Sequence, residues 1–354
     1  METLLIPHAD TIPVSWGWFQ FLLLLTFPLH LLAMNAMFGG LVLGVIQHFK
    51  GGDVQRRLAH RIAVVTPLLV AVTVNLGVAP YLFIQVLYGQ FIYTSSILMG
   101  MFWIMIVPLL MLAYYGTYLY DFEFKKLGLK GAFIGVIASM IFFTIAAFFT
   151  NNMLLMVLPD RFGEYFNHMN GTLLIVDHQT FLPRYLHMVL GALAVGGLSV
   201  ALLGRFQSDR DIELADHAQE YGMRAFLLFT VINIAVGVVY LMSLPREQML
   251  LFMGKDMGAT IAFTFGLLLA ASVIWTAIKR KLWLTVGHII ALIFVMAFMR
   301  AWLRSGYLRD YFTLDQLQVV EQLSPMIFFF VTLLFGIACL GWLWRKTSKT
   351  LATT

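Results

Sequence analysis

The sequence predicts an all-α integral membrane protein, and three observations carry that reading. Apolar residues make up 60% of the 354 residues and charged residues only 12%, about half the share of roughly 25% usual in soluble domains. Mean hydropathy is +0.85. Nine apolar runs are each long enough to cross a bilayer, which takes about 20 residues. None alternates with the period of two of a barrel strand, so helices must satisfy the backbone in lipid. These figures exclude a soluble domain, a disordered chain and a nucleic-acid binder. The single cysteine, Cys339, excludes a disulfide framework, a cysteine metal site and covalent c-type haem, for which no C-x-x-C-H exists.

In chain order the predicted spans are residues 18–49, 62–87, 93–120, 131–158, 181–203, 222–243, 258–278, 282–303 and 325–344. The leader before the first carries Glu2 and Asp10 and no basic residue, so that span reads as a permanent helix rather than a cleavable signal. Basic residues mark alternate connections. Lys50, Arg56, Arg57 and Arg61 follow the first span, and Lys125, Lys126 and Lys130 follow the third. Arg205, Arg210 and Arg224 flank the fifth-to-sixth connection, Lys279, Arg280 and Lys281 separate the seventh from the eighth, and Arg345, Lys346 and Lys349 close the ninth. The other side holds Arg161, Arg184, Arg246, Lys255, Arg304 and Arg309, with Arg300 just inside a span. The net charge of +5 is therefore a topology signal. It places the N-terminus outside and the C-terminus in the cytoplasm of a bacterial inner membrane. The connection 159–180, with Asp160, Arg161, Glu164, His168 and His178, is polar enough to fold over the outer end of the bundle or meet a partner. No linker, low-complexity tract or clear repeat divides the chain, which reads as one membrane domain, 1–354.

Ionisable groups inside apolar spans are costly and mark function by default. None of the 18 acidic residues falls within the nine predicted spans, which argues against a proton pump or an ion-coupled transporter. Four histidines do: His30, His48, His187 and His288. His48 and His288 lie near the cytoplasmic ends and read as interfacial or capping groups. His30 lies about 16 Å down the first helix at 1.5 Å per residue, and His187 about 9 Å down the fifth. Each suits either a hydrogen bond to a neighbouring helix or a haem iron. Arg300, Arg184 and Lys255 suit either snorkelling at the interface or pairing with haem propionates. Met34 and Met37 follow His30 along the same helix, with packing as their default role.

These residues resemble subunit I of cytochrome bd quinol oxidase, a nine-helix protein with an outside N-terminus. The resemblance is densest over residues 18–205. Phe27-Pro28-Leu29-His30 followed by Gly39 resembles the family's haem-ligand histidine and the glycine nine residues on. Leu76-Gly77-Val78-Ala79, then Gln85 and Gly89, resembles a run that continues in the family to a glutamate and a glycine. Arg184-Tyr185-Leu186-His187 resembles the basic-x-x-His of the low-spin haem b, and Lys255-Asp256-Met257 the basic-x-Met that supplies its opposite axial ligand, with Met253 as a rival. The resemblance implies haem b, one or two, with His30, His187 and Met257 as iron ligands and Arg184, Lys255 and Arg300 beside the propionates.

The departures set the expected activity. Gln85 stands where the oxidases carry glutamate, and Met299 and Arg300 stand, counted from Trp302, near the glutamate that serves the high-spin haem. A glutamine cannot relay protons as an acid. The connection between the sixth and seventh spans, 244–257, is too short for the family's long quinol loop; Arg246 and Glu247 suit either a quinol or a solvated turn. The expectation is a haem-b membrane subunit of a respiratory electron-transfer complex that does not reduce oxygen. It would pass electrons between the quinone pool and a periplasmic partner, a c-type multihaem cytochrome or an iron–sulfur protein, with a second bd-like membrane subunit as a further partner. The alternative is a haem-poor structural anchor of such a complex.

Overall fold

The computed structural model describes residues 5–167 and 169–353, with side chains to residue 347. Glu2, His168 and the side chain of Lys349 thus lie outside the described residues. Among the described residues, nine helices are long and apolar enough to cross a membrane. They are α1 (Trp16–Lys50), α2 (Asp53–Leu98), α3 (Gly100–Phe122), α5 (Leu129–Leu155), α6 (Phe181–Gln207), α7 (Ile212–Ser243), α9 (Met257–Ile278), α10 (Leu282–Leu308) and α11 (Leu323–Thr353). Two short helices, α4 (Phe124–Leu127) and α8 (Arg246–Leu250), sit in connections. The chain is an all-α, multi-pass membrane protein.

Packing is densest between α1 and α2, between α6 and α7, and where these two hairpins meet along α1 and α6. That meeting requires glycine. A Cβ on Gly39 would lie 2.0 Å from the Ala192 carbonyl oxygen, and one on Gly196 would lie 2.3 Å from the Gly39 carbonyl carbon. Only hydrogen fits between the two backbones, which is how small residues serve helix pairs in lipid. Helices α3 and α5 flank one side and α9 and α10 another. Helix α11 lies at the periphery, its apolar side chains largely exposed, with Phe330 touching Trp18 of α1. Large exposed apolar residues such as Ile104, Met111 and Leu334 form a lipid-facing surface.

Several helix boundaries differ from the hydropathy reading. Residues 93–98 belong to α2, not to the third span. The helix bends at Tyr88 (φ −137°, ψ 33°) and runs on to Leu98. Past the bend, the hydroxyls of Thr94 and Ser96 donate to the carbonyls four residues back, while Phe91, Ile92 and Leu98 are buried. Helix α7 starts ten residues before its apolar run because Asp211 caps it, accepting from Leu214 N–H at 3.1 Å. As built, the spanning helices therefore carry Asp53, Asp121, Glu213, Asp216 and Glu220, all toward the ends that hold most of the basic residues. Hydropathy reports where lipid is, whereas these helical ends extend beyond it.

The connection 159–180 folds onto the bundle, as a polar segment near buried helix ends should. Ile175 N–H donates to Asn151 Oδ1 at 2.8 Å, and Leu173 N–H to the Leu98 carbonyl at 3.1 Å. Leu173, Ile175 and Phe162 join one buried cluster with Leu154, Leu308 and Phe312. At the same end Ile12 and Val319 pair as a parallel bridge.

Candidate functional site

His30 and His187 each sit in the same local cage. On α1 the Nδ1 of His30 lies 3.0 Å from the Thr73 carbonyl of α2. On α6 the Nδ1 of His187 lies 3.2 Å from the Asn233 carbonyl of α7. A carbonyl only accepts, so each Nδ1 carries the proton and each Nε2 keeps a free lone pair. That is the tautomer an iron ligand needs, fixed from behind by the backbone.

Glycine makes both approaches possible. Gly77 and Gly237 each follow the carbonyl residue by four and so lie beneath the ring. A Cβ on Gly77 would lie 2.8 Å from His30 Cε1 and 2.9 Å from Nδ1; one on Gly237 would lie 3.0 and 3.2 Å from the same atoms of His187. The repetition goes further. Gly39 and Gly196, the α1–α6 contact, each follow their histidine by nine residues. Five residues on, Gly44 packs against Ile62 of α2 and Ala201 against Gly222 of α7, and both partners precede their carbonyl residue by eleven. The hairpins α1–α2 and α6–α7 thus repeat one constellation at fixed register, an internal repeat that the sequence reading did not find.

The arginines complete the repeat. Arg184 lies three residues before His187. The corresponding residue before His30 is Phe27, and the Arg300 guanidinium rests 4.9 Å from its ring centroid. Arg304, 8% exposed, stands over the buried Tyr88 ring at 4.6 Å. Arg300 lies within the electrostatic reach of Arg184, Arg304 and Tyr240, and Tyr307 within that of Arg184 and Tyr240. Among the described residues none of these three guanidiniums has a carboxylate partner. Arg304 Nε, Tyr88 Oη and Tyr307 Oη are buried without a hydrogen-bond partner. Arg304 is buried and Arg184 and Arg300 are half-buried; buried cations are ordinarily paired, so this cluster fits carboxylates brought by something other than the chain, as haem propionates would be.

The remaining predicted residues stand apart from that cage. Met257, first residue of α9, is 74% exposed, and its rival Met253 is 52% exposed in a distorted turn. The Lys255 ammonium is held by Glu247 on the exposed α8 turn. His187 instead meets Tyr240, whose ring stacks at 6.3 Å. Gln85 is half-buried and faces the Tyr81 phenol. At the opposite end, His48 is 2% exposed and bonds Tyr120 Oη at 3.1 Å, while His288 meets Ser272 Oγ at 3.3 Å. Sequence reasoning missed Thr73, Gly237, Asn233, Arg304 and Tyr240. The glycine four residues after a buried backbone acceptor was the one available signal.

The chain is similar in structure to the bd oxidase from Geobacillus thermodenitrificans. It matches with a TM-score of 0.65 and 14% sequence identity, over 92% of this chain and 96% of that chain. The fold is therefore cytochrome bd-like over that share of the chain. No family model matches the sequence. No curated protein matches it either.

Proposed function

We propose that the chain is a haem-b subunit of a respiratory electron-transfer complex, related to subunit I of the bd oxidases. The observation that carries this is the duplicated cage, in which two neutral imidazoles are each pinned through Nδ1 with Nε2 free. His30 and His187 would hold iron, and Arg184 and Arg300 would neutralise propionates from equivalent positions. Haem supplies a one-electron carrier when bound. The chain's own residues do the rest: the carbonyls of Thr73 and Asn233 orient the rings, and the apolar helices exclude water. Met257 would be a further ligand to haem held at His187; it stands exposed at the start of α9.

The same reading makes the subunit a link between the quinone pool and an outer-face partner, a c-type multihaem cytochrome or an iron–sulfur protein. It places the N-terminus outside a bacterial inner membrane, the side toward which the arginine cluster lies. With Gln85 at the acid position the chain has no carboxylate to feed protons to oxygen there, so we propose that it does not reduce oxygen.

The test is a reduced-minus-oxidised spectrum of the purified protein. It should show b-type bands; His187→Ala should remove the low-spin signal and His30→Ala should spare it. A protein with no b-type bands would be the haem-poor anchor instead. Quinol-driven oxygen uptake by the purified protein would overturn the non-oxidase reading.

A further inference from the structure

The end of the bundle opposite the arginine cluster holds a second, independent site. A cavity of about 340 Å³ opens between α1, α2 and the α4–α5 connection, lined by His48, Arg56, His60, Phe124, Lys125 and Leu129 among others. Its floor is the buried Phe124 ring. His48 stacks on that ring at 4.3 Å and His60 lies tilted to it at 4.8 Å, and Tyr120 Oη fixes His48 from behind. Three cations line the walls, and they differ. Arg57 is consumed by Asp53, Asp211 and Glu213. Arg56 and Lys125 have no carboxylate partner among the described residues, although Lys126 next door pairs with Glu123 at 3.1 Å. Two cations without a carboxylate partner thus face one cavity; among the described lining residues Asp53 is the one carboxylate and is committed to Arg57, while the Asp121 charge reaches His60 from beside it.

From this geometry we infer a binding site for a phosphate anion, carried by an anionic phospholipid headgroup. Arg56 and Lys125 supply both the charge and the N–H donors, and the two imidazoles shape the wall. The source is argued from the rim. Leu129 lines the cavity and is 51% exposed, Phe133 one turn further along α5 is 60% exposed, and Phe122 at the end of α3 is 76% exposed. An apolar, outward-facing rim beside a basic cavity accommodates acyl chains and headgroup together. Basic pockets between spanning helices recognise anionic lipids in this way.

The experiment titrates the full-length protein, purified in a non-ionic detergent, with short-chain phosphatidylglycerol, short-chain phosphatidylcholine and inorganic phosphate, reading thermal stability. Wild type and the control Lys279→Gln, at the same end but outside the cavity, should be stabilised saturably by phosphatidylglycerol and not by phosphatidylcholine. The double variant Arg56→Gln/Lys125→Gln should weaken that binding by about tenfold or more, since each removes a charge-assisted contact. Should the double variant not fold, each single variant carries the test with a weakening of about threefold or more. Equal response to phosphatidylcholine, or unchanged affinity in the variants, overturns the site. Saturation by inorganic phosphate alone, as tight as the lipid and equally dependent on Arg56 and Lys125, keeps the phosphate site and overturns the lipid as its source.

Discussion

Gly77→Ala and Gly237→Ala are the most informative substitutions because each acts on one histidine cage alone. An added Cβ at residue 77 would lie 2.8 and 2.9 Å from atoms of the His30 ring, where ordinary carbon contacts need about 3.5 Å or more. The ring must retreat by roughly 0.6 Å, which stretches the 3.0 Å bond to the Thr73 carbonyl past hydrogen-bonding range. Losing that bond costs about 0.5–1.5 kcal/mol, and overpacking adds about 1–3 kcal/mol. Alanine's better helix propensity returns only about 0.5–1 kcal/mol. Loss of the partner that orients a metal-binding histidine weakens metal affinity about 10–100-fold. At Gly237 the contacts are 3.0 and 3.2 Å, so the same defect should appear in milder form at His187. The assay is haem-to-protein stoichiometry with a reduced-minus-oxidised spectrum, beside Gly287→Ala, where an added Cβ meets nothing within 4 Å. Gly77→Ala should lose the His30 component and keep the His187 component, Gly237→Ala the reverse. Full haem loading with an unchanged spectrum in both would refute the cage.

Other outcomes follow from the same structure. Gly196→Val should abolish monodisperse protein on size exclusion, because the α1 backbone stands 2.3 Å from any Cβ there; normal expression and stability would contradict the close crossing. Arg184→Gln or Arg300→Gln should lower a haem midpoint potential by tens of millivolts, since removing a positive charge favours ferric iron and a charge about 10 Å away is worth roughly 1–2 kcal/mol at an effective dielectric near 20; an unmoved potential in redox titration would remove the propionate role. In the connection over the α6 end, burial first and then the Arg161 charge hold the His178 imidazole below its ordinary 6.5. Its folded form thus binds fewer protons than the unfolded one, so its stabilisation is present above pH 6.5 and is lost as pH falls toward and through the folded value. Amide protection factors across residues 173–181, corrected for intrinsic exchange, should fall between pH 7 and 5.5, and a His178→Gln variant should lose that pH dependence.

Much of the fold is legible in hydropathy because lipid imposes one rule on every span. What escaped is governed by hydrogen bonds and capping instead. Residues 93–98 look like the start of a span, yet serine and threonine hydroxyls keep them in α2 beyond the Tyr88 bend. The polar first turns of α7 form because Asp211 caps them. The histidines were legible as polar groups in apolar runs, and Arg184 and Arg300 as charges near span ends. Their cage was not, because a backbone carbonyl such as those of Thr73 and Asn233 leaves no side-chain signature. The internal repeat was hidden for a related reason: the two hairpins share a histidine and a few glycines at fixed spacing, while the lipid-facing positions between them tolerate any apolar residue. Phe27 and Arg184 occupy equivalent places with unlike side chains, and only the Arg300 guanidinium lying on Phe27 reveals the equivalence.

The central claim is that His30 and His187 present free Nε2 atoms to iron. A density map of the purified protein at side-chain resolution tests it most directly. The account predicts a planar porphyrin against each imidazole, its propionates directed at Arg184 and Arg300. Lipid or packed side chains alone beside both rings would contradict it.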